Sequence, residues 1–64
     1  MEYAGRILVR DKAGARFQIH EWRGRRMFKP VRRFILETGQ DVVRLSFDSY
    51  VVGQTGEPLT RITS

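Results

Sequence analysis

The stretch RILVRDKAGARFQIH (6–20) admits few folds. Apolar and polar residues alternate on both sides of Lys12-Ala13-Gly14, the period-2 pattern of two half-buried strands joined by a turn. A three-residue hairpin loop with Gly14 in the left-handed conformation pairs Asp11 with Ala15. Counting back sets Val9 opposite Phe17, Ile7 opposite Ile19, Arg6 opposite His20 and Arg10 opposite Arg16. One residue more or fewer in the loop would place Val9 across from a polar residue, so the pattern selects the register. Ile7, Val9, Phe17 and Ile19 then share a buried face that Tyr3 and Gly5 continue. The other face carries Arg6, Leu8, Arg10, Arg16, Gln18, His20 and Trp22.

The second half repeats itself. RFILETGQDVVRL (33–45) and SYVVGQTGEPLTRI (49–62) each hold an aromatic, an aliphatic two residues later, Thr-Gly, and then a Gln or Glu. Measured from Thr-Gly, Thr38, Gly39, Val42, Arg44 and Leu45 recur as Thr55, Gly56, Leu59, Arg61 and Ile62. Each unit reads as strand, tight turn, strand. Asp48-Ser49 reads as a further turn. The expected fold is therefore all-β: a meander of about six short antiparallel strands in three hairpins. A sheet this small must cover its apolar face by curling into a barrel or roll, or by packing on a partner.

One alternative is α+β with a short helix near 30–38. Met27, Phe28, Val31, Phe34 and Ile35 fall at helical spacing, Pro30 suits a first turn and Gly39 a C-terminal cap. The repeat favours strands, because its second copy contains Tyr50-Val51-Val52, which strongly prefers them. The expected core comprises Tyr3, Phe17, Phe34, Phe47 and Tyr50 with the aliphatics at 7, 9, 19, 43, 45 and 52. In architecture such a meander resembles the small barrels of the SH3-like and OB types. The resemblance is one of pattern and implies no activity.

At 64 residues the chain reads as a single domain, near the lower limit for burying a self-sufficient core. It has no cysteine, so no disulfide or thiolate metal site can staple it. A hydrophobic fraction of 41% is too high for a disordered chain. MEYAGRILVR shows no secretory n-region or apolar h-region, and no run approaches a membrane span, so the expectation is a cytoplasmic protein that does not insert in membranes.

The net charge of +5 is concentrated. WRGRRMFKPVRR (22–33) carries six cations and no acid, while the other six cations face all seven acids, leaving −1. Ten of the twelve cations are Arg, the side chain suited to forked hydrogen bonds with phosphate and to stacking on flat rings. Arg23, Arg25, Arg26, Lys29, Arg32 and Arg33 are expected around a loop from Gly24 to Pro30, with Trp22 beside them. Such an arrangement can neutralise phosphates and stack on a base. Its ordinary counterpart is a solvated loop with Glu21, Glu37 and Asp41 as local ion-pair partners. Arg6, Arg10 and Arg16 extend the basic surface, and Arg10 opposite Arg16 is a like-charge pair that Asp11 or an anion would relieve.

Catalysis is not expected. His20 is the only histidine, without a second ligand for a metal or a recognisable nucleophile to activate. The seven carboxylates form no dyad, and nucleotide-cradling motifs are absent, so no cofactor is implied. The function expected from the sequence is a small basic binding module that engages nucleic acid or another polyanion through an Arg-rich loop. The competing expectation is a protein–protein module, a homodimer or an adaptor, whose partner could be an acidic protein.

Overall fold

The computed structural model describes residues 1–62. Six antiparallel strands, β1 (Glu2–Arg10), β2 (Arg16–Arg26), β3 (Lys29–Leu36), β4 (Asp41–Arg44), β5 (Ser49–Val52) and β6 (Pro58–Arg61), follow one another around a closed barrel. β3 occupies the stretch for which a helix was the alternative, so the all-β meander is the fold.

The first hairpin has the register set by its hydrophobic pattern, with Val9 opposite Phe17, Ile7 opposite Ile19 and Arg10 opposite Arg16. Asp11 N–H donates to the Ala15 carbonyl (3.0 Å) and Gly14 N–H to that of Asp11 (3.1 Å). Gly14 sits at φ 85°, where a side chain would be strained. The β3–β4 turn uses the same device: Leu36 pairs with Gln40, and Gly39 N–H donates to the Leu36 carbonyl at 2.8 Å. In the β5–β6 turn Val52 pairs instead with Glu57, so this loop holds one residue more. The first strands of the two repeats are thus equivalent through their aromatic-x-aliphatic pairs, Phe34/Leu36 and Tyr50/Val52, and the second strands through the Thr-Gly alignment, which matches Val42 with Leu59; all six are buried.

The core consists of Ile7, Val9, Ile19, Phe34, Leu36, Val42, Tyr50, Val52 and Leu59, with Phe17 packed against it. Phe34 and Tyr50 meet edge to face at 5.9 Å, a geometry that aligns ring edge with ring face. Every strand contributes an inward side chain, which is how so short a chain covers its apolar face.

Four residues expected in the core lie outside it: Tyr3, Val43, Leu45 and Phe47 are all exposed. Val42 faces Phe34 across β3–β4, and the period-2 alternation then turns Val43 outward. Leu45 and Phe47 lie in the β4–β5 connection, where the Arg61 guanidinium stacks 4.4 Å above the Phe47 ring. Tyr3 changes face at a bulge. Tyr3 pairs with Trp22 and Gly5 with Glu21, leaving Ala4 as the extra residue, and Gly5 takes φ 126°. That one-residue shift moves Tyr3 to the face opposite the one expected.

Closure is narrow. β6 pairs with β1 only at Val9 and Arg10, and β4 with β3 only at Phe34 and Ile35. The three longest strands therefore run on past the barrel, which makes the molecule 40 × 26 × 21 Å with a radius of gyration of 11.9 Å. A compact chain of this length would have about 11 Å.

The register predicts a sharp contrast between two adjacent valines. Val42→Ala removes two buried methyl groups and should cost about 2 kcal/mol, from ~0.8 kcal/mol per group plus a cavity term. Val43→Ala should stay within about 0.5 kcal/mol. Urea unfolding of the two variants checks this, and equal losses would contradict the pairing of β3 with β4.

Candidate nucleic-acid interface

The basic segment is a strand ribbon and not the loop expected between Gly24 and Pro30. β2 continues to Arg26 and β3 begins at Lys29, with Arg26 opposite Lys29, Arg25 opposite Pro30, Gly24 opposite Val31, Arg23 opposite Arg32 and Trp22 opposite Arg33. Pro30 fits because Arg26 and Lys29 flank a two-residue turn and form the hydrogen-bonded pair. Pro30 then falls in the next, non-hydrogen-bonded pair, where its missing N–H faces the open edge. β1 ends its pairing at Glu2 opposite Arg23, and β4 does not pair with β3 before Phe34. Among the described residues the ribbon beyond Arg23 and Arg32 thus has no neighbouring strand, and it forms a free arm.

The turn at its tip is Met27-Phe28, with φ 51° and 68°. Two positive φ values are what a type I′ hairpin turn requires, and Asn-Gly is the pair that adopts them most readily. Bulky residues there cost about 1–2 kcal/mol each. Neither side chain recovers that cost by burial, since Met27 is 87% and Phe28 97% exposed.

Residues directly opposite in a ribbon share a face. Arg23, Arg25 and Arg32 therefore project from the face continuous with the barrel interior, and Arg26, Lys29 and Arg33 from the outer face with Trp22. The six cations expected as a site are all exposed and close in sequence, but they divide equally between the two faces. Two have acidic partners: Arg23 Nε donates to Glu21 Oε2 at 2.7 Å and Arg33 Nη2 to Asp41 Oδ1 at 3.3 Å. Arg25, Arg26, Lys29 and Arg32 have no ion pair among the described residues. Arg23 opposite Arg32 and Arg26 opposite Lys29 are like-charge pairs; Glu21 lies beside Arg23 in the first, and the second has no acid in an ion pair with either member among the described residues. Glu37, the third expected partner, instead accepts the Gln18 backbone N–H at 3.0 Å.

An aromatic cluster sits at the root of the arm. The bulge brings Tyr3 onto the outer face, where its ring stands edge-on to Trp22 with centroids 5.2 Å apart. Its hydroxyl hydrogen-bonds His20 Nδ1 at 2.8 Å. Trp22 is half-buried, held by this packing rather than free to swing.

Barrel closure adds Arg61 to the Arg10–Arg16 pair that the sequence register had set opposite each other. Arg10, Arg16 and Arg61 line a shallow depression of about 300 Å³ with Gly14 and Ile62. Asp11 does not relieve the Arg10–Arg16 pair through an ion pair; its carboxylate accepts the Ala15 N–H at 2.9 Å and serves the turn. Arg61 reaches this place only because β6 returns to β1, for which the local sequence holds no signal.

No protein-family model, curated protein or solved structure matches this chain, so a functional assignment has to rest on this geometry.

The strained tip makes a prediction about stability. Replacing both residues, Met27→Asn with Phe28→Gly, should stabilise the fold by about 1–2 kcal/mol, because about 2–4 kcal/mol of steric cost at the two positions is relieved and the entropy glycine loses on folding offsets part of it. The thermal midpoint should rise by about 4–8 °C per kcal/mol relieved. A midpoint that falls would show that the side chains support the fold from the tip.

Proposed function

We propose that this protein is a nucleic-acid-binding module, and not a catalyst, that grips its ligand through the cationic β2–β3 arm. The observation that carries this reading is the β2–β3 ribbon: six exposed cations, three of them (Arg25, Arg26 and Lys29) beyond its last pairing with β1 and four of them without an acidic partner among the described residues. Charges held at fixed spacing gain most from an anionic ligand where their repulsion is unrelieved, as at Arg26 opposite Lys29. Phosphates bound there release condensed counterions, which supplies affinity with little dependence on base sequence. The predominance of Arg suits forked contacts to phosphate oxygens. Tyr3, His20 and Trp22 add flat surface at the root of the arm.

A second reading is supported by the bare strand edges. On their sides away from β2, β1 from Glu2 to Ile7 and β3 from Lys29 to Arg33 pair with no strand among the described residues, and such edges accept a strand from another chain. A net charge of +5 opposes pairing of two copies through the arm, which ranks this reading below the first.

Titration of Trp22 emission with duplex DNA between about 50 and 200 mM salt tests the first reading. Six phosphate contacts should give a slope of log K against log salt near −5, at about −0.9 per contact. Neutralising Arg25, Arg26, Lys29 and Arg32 to Gln should reduce the slope by about 3–4 and weaken binding strongly. An unchanged slope, or no binding at the lower salt, would refute the assignment.

A further inference from the structure

The tip of the arm goes beyond charge. Phe28 and Met27 are the two most exposed large apolar side chains of the described residues, and they occupy a turn whose backbone geometry disfavours them. The fold gains no burial from them. They project past the last residue paired with β1, and Arg25, Arg26 and Lys29 are the cations nearest them along the ribbon.

An apolar point flanked by cations suits a ligand whose anionic shell must be passed to reach a stacked or apolar interior. The division of the cations between two faces narrows the choice. A planar surface would meet one face of the ribbon, whereas a groove presents phosphates along both walls. Reach also fits. From the Arg23–Arg32 pair to the turn the ribbon extends three residues and the tip itself, about 10–13 Å at 3.3 Å per residue. That spans the depth of either groove, about 7.5 Å for the minor and 8.5 Å for the major. The apolar tip favours the minor groove, from which side-chain wedges unstack base steps.

We propose that the arm enters the minor groove of a duplex nucleic acid tip first and that Phe28, with Met27 beside it, inserts as a wedge between stacked base pairs and kinks the duplex. Apolar wedges of this kind partly unstack a base step and bend the helix toward the major groove. The flanking cations bind phosphates of both strands and hold the bent form. This inference rests on the nucleic-acid reading above and deepens it by naming the form of the ligand.

The test separates bending from binding. A duplex of about 25 base pairs carries a donor dye at one end and an acceptor at the other, and is titrated with the native protein and with the Met27→Asn/Phe28→Gly variant. That variant keeps every cation and has the more favourable turn, so loss of fold does not explain its behaviour. The native protein should raise energy transfer to the level of a kink of about 20–90°. The variant should bind within about tenfold, because the charge contacts remain, and leave energy transfer at the value of the free duplex. Equal bending by both proteins, or binding by the native protein without bending, overturns the wedge and leaves the charge reading standing. Binding confined to single strands does the same. Failure to bind duplex or single strands, together with binding to vesicles of phosphatidylserine and phosphatidylcholine, overturns both and assigns the tip to a lipid surface.

Discussion

The return of β6 to β1 at Val9 and Arg10 is the contact on which the rest of the structure depends. It converts a six-strand meander, whose apolar face would lie open, into a barrel in which Val9 and Ile19 are fully buried. Without cysteine to staple the chain, that burial must supply the stability, and nine side chains drawn from every strand provide it. The ladder is only two residue pairs long, backed by Ile62 N–H donating to the Leu8 carbonyl at 2.8 Å. Its brevity matters as much as its existence. A longer β6 would have covered the β1 edge and drawn the whole of β1–β2–β3 into the wall.

Unequal strand length follows from that brevity and shapes the functional surface. Four-residue strands β4, β5 and β6 enclose one end of the sheet, while β2, with eleven residues, and β3, with eight, continue beyond it. The excess is the arm, and four of the seven cations that lack an ion pair among the described residues outside the Arg10–Arg16–Arg61 group, Arg25, Arg26, Lys29 and Arg32, lie on it or at its root. Alternation along each strand then divides the cations between two faces. The same geometry that prevents a single cationic platform makes the ribbon suited to a ligand that surrounds it.

Much of this was legible in the residues, for identifiable reasons. The first hairpin was readable to the residue because Val9 and Phe17, Ile7 and Ile19 match in only one register, and Gly14 names its own turn conformation. Strand β3 was distinguishable from a helix through its likeness to Tyr50-Val51-Val52. The arm was obscured because Gly24 and Pro30 are usual strand breakers, and each is tolerated here by its position in an edge ribbon. Met27-Phe28 carries none of the Gly or Asn signal that marks a two-residue turn. Tyr3 depended on a bulge, and the choice between Val42 and Val43 on long-range pairing with Phe34. Arg61 joined Arg10 and Arg16 through barrel closure alone. In each missed case the deciding interaction lies between strands far apart in sequence or in a turn that runs against local preference.

The central claim is that the arm, and not the basic depression at the other end of the first hairpin, receives the nucleic acid. Mapping backbone amide chemical shifts during titration with a short DNA duplex tests it most directly. The account predicts the largest changes from Arg23 to Arg33, including Phe28, with Lys12 to Gly14 little affected. Changes centred on Arg10, Arg16 and Arg61 with a silent arm would contradict it.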